Sequence, residues 1–229
     1  MAEPVQFAGR SDDDAELTAS LRRLPMFPLP RVVLFPNASL ELHIFEERYR
    51  AMTRDVLAGS RFMAVSLIAP GERETDDQPA VQRVAGVGEI VMAHELHDGR
   101  FNLVLRGRER IRIDEELALE RPYREVVATI LPDLPVLDGA ELRDADQSLR
   151  ALLGHMADSI PEGGELLRQI AAAQETPAAL ADVLSAALIE DPELRQHLLE
   201  TREVTRRIER VMAEVVAMTS RIASPGSVN

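Results

Sequence analysis

The stretch that decides the fold is "LPMFPLPRVVLFPNASLELHIFEERYR", from Leu24 to Arg50. Its first thirteen residues are strongly apolar and yet contain four prolines, namely Pro25, Pro28, Pro30 and Pro36. Because a proline fixes φ and lacks an N–H, these four residues cannot all lie inside a helix or a central strand. We interpret the stretch as short strand pieces that bend around a barrel, with each proline ending a piece or facing an edge.

The sequence on either side of this stretch predicts further short strands and one helix. Residues 32–35 and the alternating "LELHIF" are typical of strands, as is "RFMAVSLIAP" from Arg61 to Pro70. Between them, "EERYRAMTRDVLAG" has the periodicity of an amphipathic helix that ends at Gly59. The apolar stripe of this helix consists of Tyr49, Met52, Val56 and Leu57.

A β-hairpin is the clearest local prediction. "VGEIVMAHELHDGRFNLVLRGRERIRI" contains two strands around Asp98-Gly99, a dipeptide that tolerates the positive φ of a hairpin turn. "REVVATILPDLP" predicts one more strand, which Pro132 and Pro135 terminate. Several strands with short turns and one inserted helix indicate an α+β chain whose first part is a small closed or nearly closed β-barrel.

Beyond Gly139 the apolar period becomes helical, and proline, glycine or capping residues separate the segments. Thr176-Pro177 and Asp191-Pro192 each fit an N-cap followed by proline, and the last helix is predicted from about Thr201 to Ala223. We therefore expect four regions. They are a mobile acidic arm over 1–20, the barrel over 21–132, a helical bundle over 133–223 and a flexible tail over 224–229.

The composition excludes several kinds of chemistry. All 26 basic residues are arginines, so the chain has no lysine, and it also has no cysteine. Schiff bases, Ser–Lys dyads, phosphate-loop lysines, thiol nucleophiles and disulfides are therefore excluded within this chain. A net charge of −13 disfavours nucleic acid and anionic membranes as partners. No apolar run reaches about 18 residues, and we expect a cytoplasmic protein.

Three motifs in order resemble the N-terminal substrate-recognition domain of the ATP-dependent Lon proteases. They are the proline-punctuated Leu24–Arg50 stretch, the "VGEIVMAHELHDGRFNLVLRGRERIRI" hairpin and "TPAALADVLSAALIEDPELRQHLLETREVTRRIERV". The resemblance covers about Leu21 to Val216 and implies a PUA-like β-barrel followed by a helical bundle. Two departures are Asn37, where the family usually has glycine, and Glu47, where it often has proline. Asparagine tolerates left-handed φ, and glutamate suits a first helical turn.

The resemblance implies a recognition module. A Lon protease continues into ATPase and protease modules that need lysines. Because this chain has no lysine, we expect a stand-alone form that neither hydrolyses ATP nor cleaves proteins. We also expect no cofactor and no metal. The predicted function is binding of exposed apolar segments of unfolded or partner proteins. The alternatives are a PUA-like RNA-binding protein and an oligomeric scaffold. A homodimer and a separate ATPase or protease are further candidate partners.

Two candidate interaction features remain. Four arginines alternate in "RGRERIRI" and would share one face of a strand: Arg106, Arg108, Arg110 and Arg112. Such a stripe could serve as a polar anchor for acidic peptide or RNA. Pairing of these arginines with the chain's own carboxylates is favoured. The terminal helix carries a heptad seam that we expect to contact a second copy or a partner, although packing within the chain is an alternative: Val211, Val215, Met218 and Ile222. His94 and His97 would lie on opposite sides of a strand, which disfavours a metal site.

Overall fold

The computed structural model describes residues 5–6, 13–73, 78–136, 138–160 and 162–223, with side chains from 14 to 220 within those ranges. The chain divides into two compact units, with the boundary in sequence between Pro132 and Asp133. The elements of the first unit are β1 (Val5–Gln6), α1 (Asp13–Ser20), β2 (Leu24–Leu29), β3 (Ser39–Ile44), α2 (Glu47–Ala58), β4 (Phe62–Leu67), β5 (Val84–Glu95), β6 (Phe101–Glu116) and β7 (Arg124–Ile130).

Five of these strands close into a ring. The pairings run β5–β4, β4–β2, β2–β7, β7–β6 and β6–β5, so every strand of the ring has two neighbours. The β2–β4 pair is parallel and the other pairs are antiparallel. Two further strands extend the ring, since β3 pairs with β6 and β1 pairs with β5. The predicted α+β fold with a small barrel and one inserted helix is confirmed, since α2 connects β3 to β4.

Strand β2 accommodates two of the four prolines. Its ladder with β7 covers residues 24–26 and its ladder with β4 covers residues 26–29, so the two ladders overlap only at Met26. Pro25 therefore lies outside the ladder with β4, and Pro28 lies outside the ladder with β7. Each proline consequently has one paired neighbour instead of two, which satisfies the rule that proline avoids positions paired on both sides.

Residues 32–35 are not a strand, contrary to the prediction. Leu34 and Phe35 are 1% and 0% exposed, and their backbone crosses directly over two glycines of the ring. A Cβ atom on Gly86 would lie 2.0 Å from the Leu34 carbonyl oxygen, and one on Gly107 would lie 1.9 Å from the Phe35 carbonyl oxygen. The apolar pattern thus reflects burial by close backbone approach and not pairing in a ladder. The segment then turns at Asn37, whose φ of 63° confirms the left-handed conformation expected there.

Two apolar clusters lie on opposite faces of β4, with Met63 and Val65 in one and Phe62 and Ala64 in the other, and each cluster has its own helix. Helix α2 places Tyr49, Met52 and Val56 into a cluster that also contains Leu34, Ile90 and Leu105. Helix α1 places Leu17 into the second cluster, which includes Met26, Phe62 and Val126. Gly59 follows α2 as predicted, although its φ of −109° is not left-handed.

Ordered structure begins earlier than Leu21. The predicted mobile arm over residues 1–20 is wrong for Val5–Gln6, which pair with β5 as β1, and for Asp13–Ser20, which form α1. The physical reason is Leu17, which is 3% exposed and anchors the helix in the second cluster. A single buried leucine in an otherwise polar segment was too weak a signal to predict a helix. Residues 1–4 and 7–12 of the predicted arm, and the predicted tail over 224–229, lie outside the described residues.

The hairpin forms at the predicted dipeptide. Gly99 has a φ of 79°, and its N–H donates to the Leu96 carbonyl at 2.8 Å. The two strands pair over most of their length, with register shifts between Val87 and Gly88 and between Ile90 and Met92. The first shift leaves Arg108 of β6 opposite no residue of β5, which bends the strand locally.

The second unit is helical. Its helices are α3 (Gly139–Ser159), α4 (Gly164–Ala173), α5 (Pro177–Leu188), α6 (Pro192–Glu200) and α7 (Val204–Ala223). Helix α7 packs against α3 and α5, and α3 packs against α4. The predicted caps are confirmed, since Thr176 accepts from the Ala179 N–H and Asp191 accepts from the Glu193 N–H. The last helix begins at Val204, three residues later than predicted.

We expect Gly107→Ala to lower the free energy of unfolding of the barrel unit by about 3 kcal/mol, because the added Cβ meets a backbone carbonyl that no rotamer change can move. Gly86→Ala should behave alike. Urea unfolding followed by tyrosine fluorescence measures this, since both tyrosines, Tyr49 and Tyr123, lie in this unit.

Gly154→Ala in α3 is the matched control, since no atom beyond its chain neighbours and the adjacent backbone of its own helix lies within 4 Å of the added Cβ. Because glycine weakens a helix interior, this control should be more stable than the parent by about 0.5–1 kcal/mol in urea unfolding followed by circular dichroism. Equal stabilities for Gly107→Ala and the parent protein would contradict the close approach.

Candidate functional site

One edge of β3 has no strand neighbour among the described residues. Strand β3 pairs with β6 and lies at the end of the strand order. Its exposed and half-buried positions alternate, from Ser39 to His43, before the buried Ile44. An unpaired edge presents a row of backbone N–H and C=O groups that can pair with another extended chain. We name this feature the free edge of β3.

A shallow depression of about 630 Å³ lies beside the free edge. Its outward-pointing residues share one face, because directly opposed residues in antiparallel strands point the same way. Glu41 opposes Val104, which opposes Met92, and His43 opposes Asn102, which opposes His94. We call these six residues the outer sheet face. Met92 and Val104 are half-buried and form its apolar centre, and the other four residues form a polar rim.

Phe45 extends the outer sheet face beyond the end of β3. Its side chain is 61% exposed, the highest fraction among the large apolar side chains of the described residues. The Phe45 ring stacks near the His43 ring, with 6.3 Å between centroids and 24° between planes. His43 is itself held by Asn102, because Nδ1 donates to Asn102 Oδ1 at 2.7 Å. An exposed aromatic ring with a fixed neighbour can bury apolar area on binding at little entropic cost.

The helical unit carries a second concave surface. A groove of about 530 Å³ lies between the non-helical segment Leu134–Val136 and the first turns of α3 and α7. Leu134 and Val136 are 38% and 48% exposed in its wall. The lining residues, which we call the helical groove, are Leu134, Pro135, Val136, Asp138, Glu141, Glu203, Val204, Thr205, Arg206 and Glu209.

A buried arginine fixes the wall of the helical groove. Arg207 is 0% exposed and donates to both carboxylate oxygens of Asp133, at 2.6 and 3.0 Å. It also donates to the Thr201 carbonyl at 2.9 Å. Arg207 Nε lies 3.2 Å from Asp182 Oδ1, an ion-pair contact without hydrogen-bond alignment. Since Asp133 directly precedes Leu134, these contacts position the apolar wall before any ligand arrives.

The predicted arginine stripe is not one face of β6. Arg110 and Arg112 oppose Gly86 and Val84, whereas Arg106 opposes Glu89. Residues 86 and 89 are three positions apart in β5, so Arg106 points away from the side of Arg110 and Arg112. The bulge at Arg108 causes this reversal, and no periodicity in the sequence reveals a bulge. The stripe prediction is therefore wrong, and Arg110 is only 4% exposed.

Arg108 instead joins an internal ion cluster. Glu89 is 3% exposed, and its two carboxylate oxygens meet Arg61 at 2.7 Å and Arg108 at 3.1 Å. The cluster links the start of β4 with β5 and β6. Arg112 pairs with Asp114 at 2.8 Å. Arg108 and Arg112 therefore pair with carboxylates of the chain itself. This is the alternative that the sequence favoured over contacts with RNA.

The heptad seam of the terminal helix packs mainly within the chain. Val211 and Val215 are 1% and 0% exposed, because α3 and α5 cover this side of α7. The expectation that these two residues contact a second copy is therefore wrong. Met218 is half-buried, and the Ile222 side chain lies outside the described residues. Helix α7 is long, yet its neighbouring helices cover it as far as Val215, which is further along the helix than the sequence predicted.

The histidines lie apart from any cluster of ligands. His94 is in β5, and His97 is in the hairpin turn that follows. Within the described ranges, no three histidine, aspartate or glutamate side chains are placed to hold a metal ion together. No described helix is both long enough and apolar enough to cross a membrane.

A hydrogen-bonded cluster around Tyr123 shifts the pKa of its phenol. Burial raises the pKa of the Tyr123 phenol, and the hydrogen bond that its hydroxyl donates to Asp55 at 2.6 Å adds to the increase. Asp55 also accepts from Arg121 at 2.5 Å, and the electrostatic interactions with Tyr123 first and then with Asp55 raise the pKa of the Arg121 guanidinium. The cluster ties α2 to the segment just before β7 and supports the scaffold, with Tyr123 buried and the side chains of Asp55 and Arg121 about half exposed.

Comparison with known proteins shows one family. The model of the ATP-dependent protease La (LON) substrate-binding domain matches residues 23–217. The chain is 24% identical to a Lon protease of Anaeromyxobacter dehalogenans over 207 residues, which cover 88% of this chain and 24% of that protein. It is 29% identical to a Lon protease of Paraburkholderia phytofirmans over 226 residues, covering 93% and 27% respectively. The chain thus spans about a quarter of the length of these relatives.

Two solved structures have the same fold. The N-terminal domain of the Mycobacterium avium complex Lon protease superposes with a TM-score of 0.67 at 19% identity, covering 85% of this chain and 98% of that one. The Lon N-terminal domain protein from Xanthomonas campestris superposes with a TM-score of 0.58 at 25% identity, covering 83% and 97%. The barrel followed by helices is therefore the architecture of both neighbours.

We expect Glu89→Gln to lower the free energy of unfolding by about 3 kcal/mol, because it removes the charge of Glu89 from its ion pairs with the buried Arg61 and the half-buried Arg108. Glu95→Gln is the control, since Glu95 pairs with Arg54 in a half-exposed bridge of 3.4 Å and should cost less than about 1 kcal/mol. Urea unfolding of both variants measures the difference, and similar losses would contradict the assigned cluster.

We expect Tyr123 to titrate above the ordinary tyrosine pKa of about 10. Because the folded state raises this pKa, its contribution to stability is complete below about pH 10 and is lost as the pH rises through the folded value. Absorbance titration of Tyr49→Phe isolates Tyr123, and adding Asp55→Asn should lower the midpoint. A midpoint near 10 in both variants would contradict the assignment.

Proposed function

Because the chain belongs to the ATP-dependent protease La (LON) substrate-binding domain family, we propose that it captures exposed apolar segments of unfolded or partner polypeptides at the free edge of β3. The matched region is a binding domain, and the lysine of a Ser–Lys dyad or a phosphate loop is absent from this chain. We propose a non-enzymatic recognition role, with a cytoplasmic location and a separate ATPase or protease as a cooperating partner.

The observation that carries this proposal is the exposed Phe45 beside an unpaired strand edge. Backbone groups of β3 pair with any extended chain regardless of its sequence, which suits the recognition of many different clients. Side-chain contacts then add preference for apolar residues, since Phe45 and the Met92–Val104 centre would lose water when covered. The two components together favour unfolded apolar segments over folded surfaces.

The alternative functions receive less support from the same residues. An RNA-binding surface needs a row of accessible cations, whereas Arg108 pairs with Glu89 and Arg110 is buried. Stacking of bases also needs neighbouring aromatic rings, and aromatic residues are only 3% of this chain. A scaffold that assembles through the terminal seam would need Val211 and Val215 exposed, and both are buried.

We expect Phe45→Ser to weaken binding of a permanently unfolded, reduced and carboxymethylated protein by roughly tenfold, because an aromatic anchor commonly contributes more than about 1 kcal/mol. Leu166→Ser on α4 is the matched control, since Leu166 is 60% exposed and lies in the other unit. Fluorescence anisotropy at moderate salt gives both affinities.

Hydrogen exchange provides the second measurement. Backbone amides of Ser39–Ile44 should exchange more slowly when the unfolded protein is bound, because its backbone would occupy the free edge. If Phe45→Ser binds as tightly as the parent and the amides of β3 are not protected, the proposed site is wrong. Tight, salt-sensitive RNA binding without polypeptide binding would favour the alternative function instead.

A further inference from the structure

The helical groove combines two properties on one small surface. Its wall exposes apolar side chains at Leu134 and Val136, and its rim is strongly acidic. Four carboxylates line it, against one guanidinium from Arg206. A concave surface of about 530 Å³ is within the usual size of ligand sites, which runs from about 300 to 1,000 Å³.

The local charge stays negative after its internal partners are considered. Arg206 pairs with Glu203, so this cation neutralises one carboxylate of the rim. Asp138 accepts from the Ala140 and Glu141 N–H groups as the N-cap of α3, which offsets the positive end of that helix. Glu141 and Glu209 make no ion pair with the described residues, and both are exposed. These two glutamates therefore remain available to an incoming cation.

The apolar wall does not collapse onto the helices. Asp133 is fixed by the buried Arg207, and the Leu134 N–H donates to the Arg202 carbonyl at 3.0 Å. Pro135 then restricts the backbone between the two exposed apolar residues. Leu134 and Val136 are consequently held at the surface, and covering them removes apolar area from water without reordering the segment.

From this combination we propose that the helical groove binds a polypeptide segment in which arginine or lysine residues flank apolar side chains. The apolar side chains of the segment contact Leu134 and Val136, and its cations approach Glu141 and Glu209. This inference rests on the proposed polypeptide-binding role, but it concerns a different surface and adds a charge preference that the free edge of β3 lacks. Nucleic acid is repelled by the same carboxylates.

The test uses the full chain and two short peptides in a glycine–serine background. One peptide has arginines flanking two leucines, and the other has glutamate in place of every arginine. We expect the arginine peptide to bind at least about tenfold more tightly in anisotropy measurements at low salt, because only its charges complement the rim. Raising the salt should reduce this difference, since the glutamates are exposed.

Three variants assign the binding to the groove. The double variant Glu141→Gln with Glu209→Gln should lower the affinity for the arginine peptide about fivefold, because two exposed charge contacts are lost while the size of each side chain is kept. Val136→Ser should lower the affinity for the arginine peptide without changing how that affinity depends on salt. The control, Glu175→Gln with Glu193→Gln, makes the same charge change at exposed sites outside the groove and should leave binding unchanged.

The outcomes separate this inference from the proposed function. Phe45→Ser should leave binding of the arginine peptide unchanged while it weakens binding of the unfolded protein. Equal affinity for the two peptides, or equal losses in the groove and control variants, overturns the inference even if the free edge of β3 binds the unfolded protein. Sedimentation adds a further outcome, because a dimer that Val136→Ser dissociates would show that a second copy covers the groove and would also overturn it.

Discussion

The barrel depends on the approach of one apolar segment to two glycines. The carbonyl oxygens of Leu34 and Phe35 occupy the space that Cβ atoms on Gly86 and Gly107 would require. These glycines lie on β5 and β6, so the crossing segment fixes the two longest strands relative to the end of β2 and the start of β3. The Asn37 N–H then donates to the Gly107 carbonyl at 2.9 Å, and the Gly107 N–H donates to the Ala38 carbonyl at 2.8 Å. Strand β3 therefore starts from a position set by this contact.

Buried arginines take the second structural role in this lysine-free chain. Arg61 and Arg207 are 8% and 0% exposed, and each meets a carboxylate that is also largely removed from water. A planar guanidinium suits such sites, because it donates several hydrogen bonds in fixed directions. Arg207 uses two of them on Asp133 and one on the Thr201 carbonyl, which links the start of the helical unit to α7. Lysine, with a single charged atom, would not reproduce this geometry.

The sequence predicted the parts of the fold that depend on local chemistry. The Asp98-Gly99 turn, the Thr176 and Asp191 caps and the apolar stripe of α2 follow from φ preferences, capping and period. Residues 32–35 were misassigned because burial by backbone crossing and burial in a strand leave the same apolar pattern. The bulge at Arg108 was missed because register is set by partners distant in sequence. Arg207 and Asp133 are 74 positions apart in the sequence, so no local pattern indicates that they pair.

The candidate surfaces were the least predictable part, for a related physical reason. Phe45 breaks the alternation of "LELHIF", because a period of two places it on the same side as the exposed Glu41 and His43, whereas a phenylalanine by itself ordinarily indicates a buried side chain. Leu134 and Val136 belong to a proline-containing connection whose exposure depends on the anchoring of Asp133. An exposed apolar side chain on a fixed backbone loses water when a partner covers it, and the segment that carries it does not have to be ordered at that point. Phe45 on the barrel unit, and Leu134 with Val136 on the helical unit, therefore supply the apolar contacts on which the two proposed binding surfaces depend.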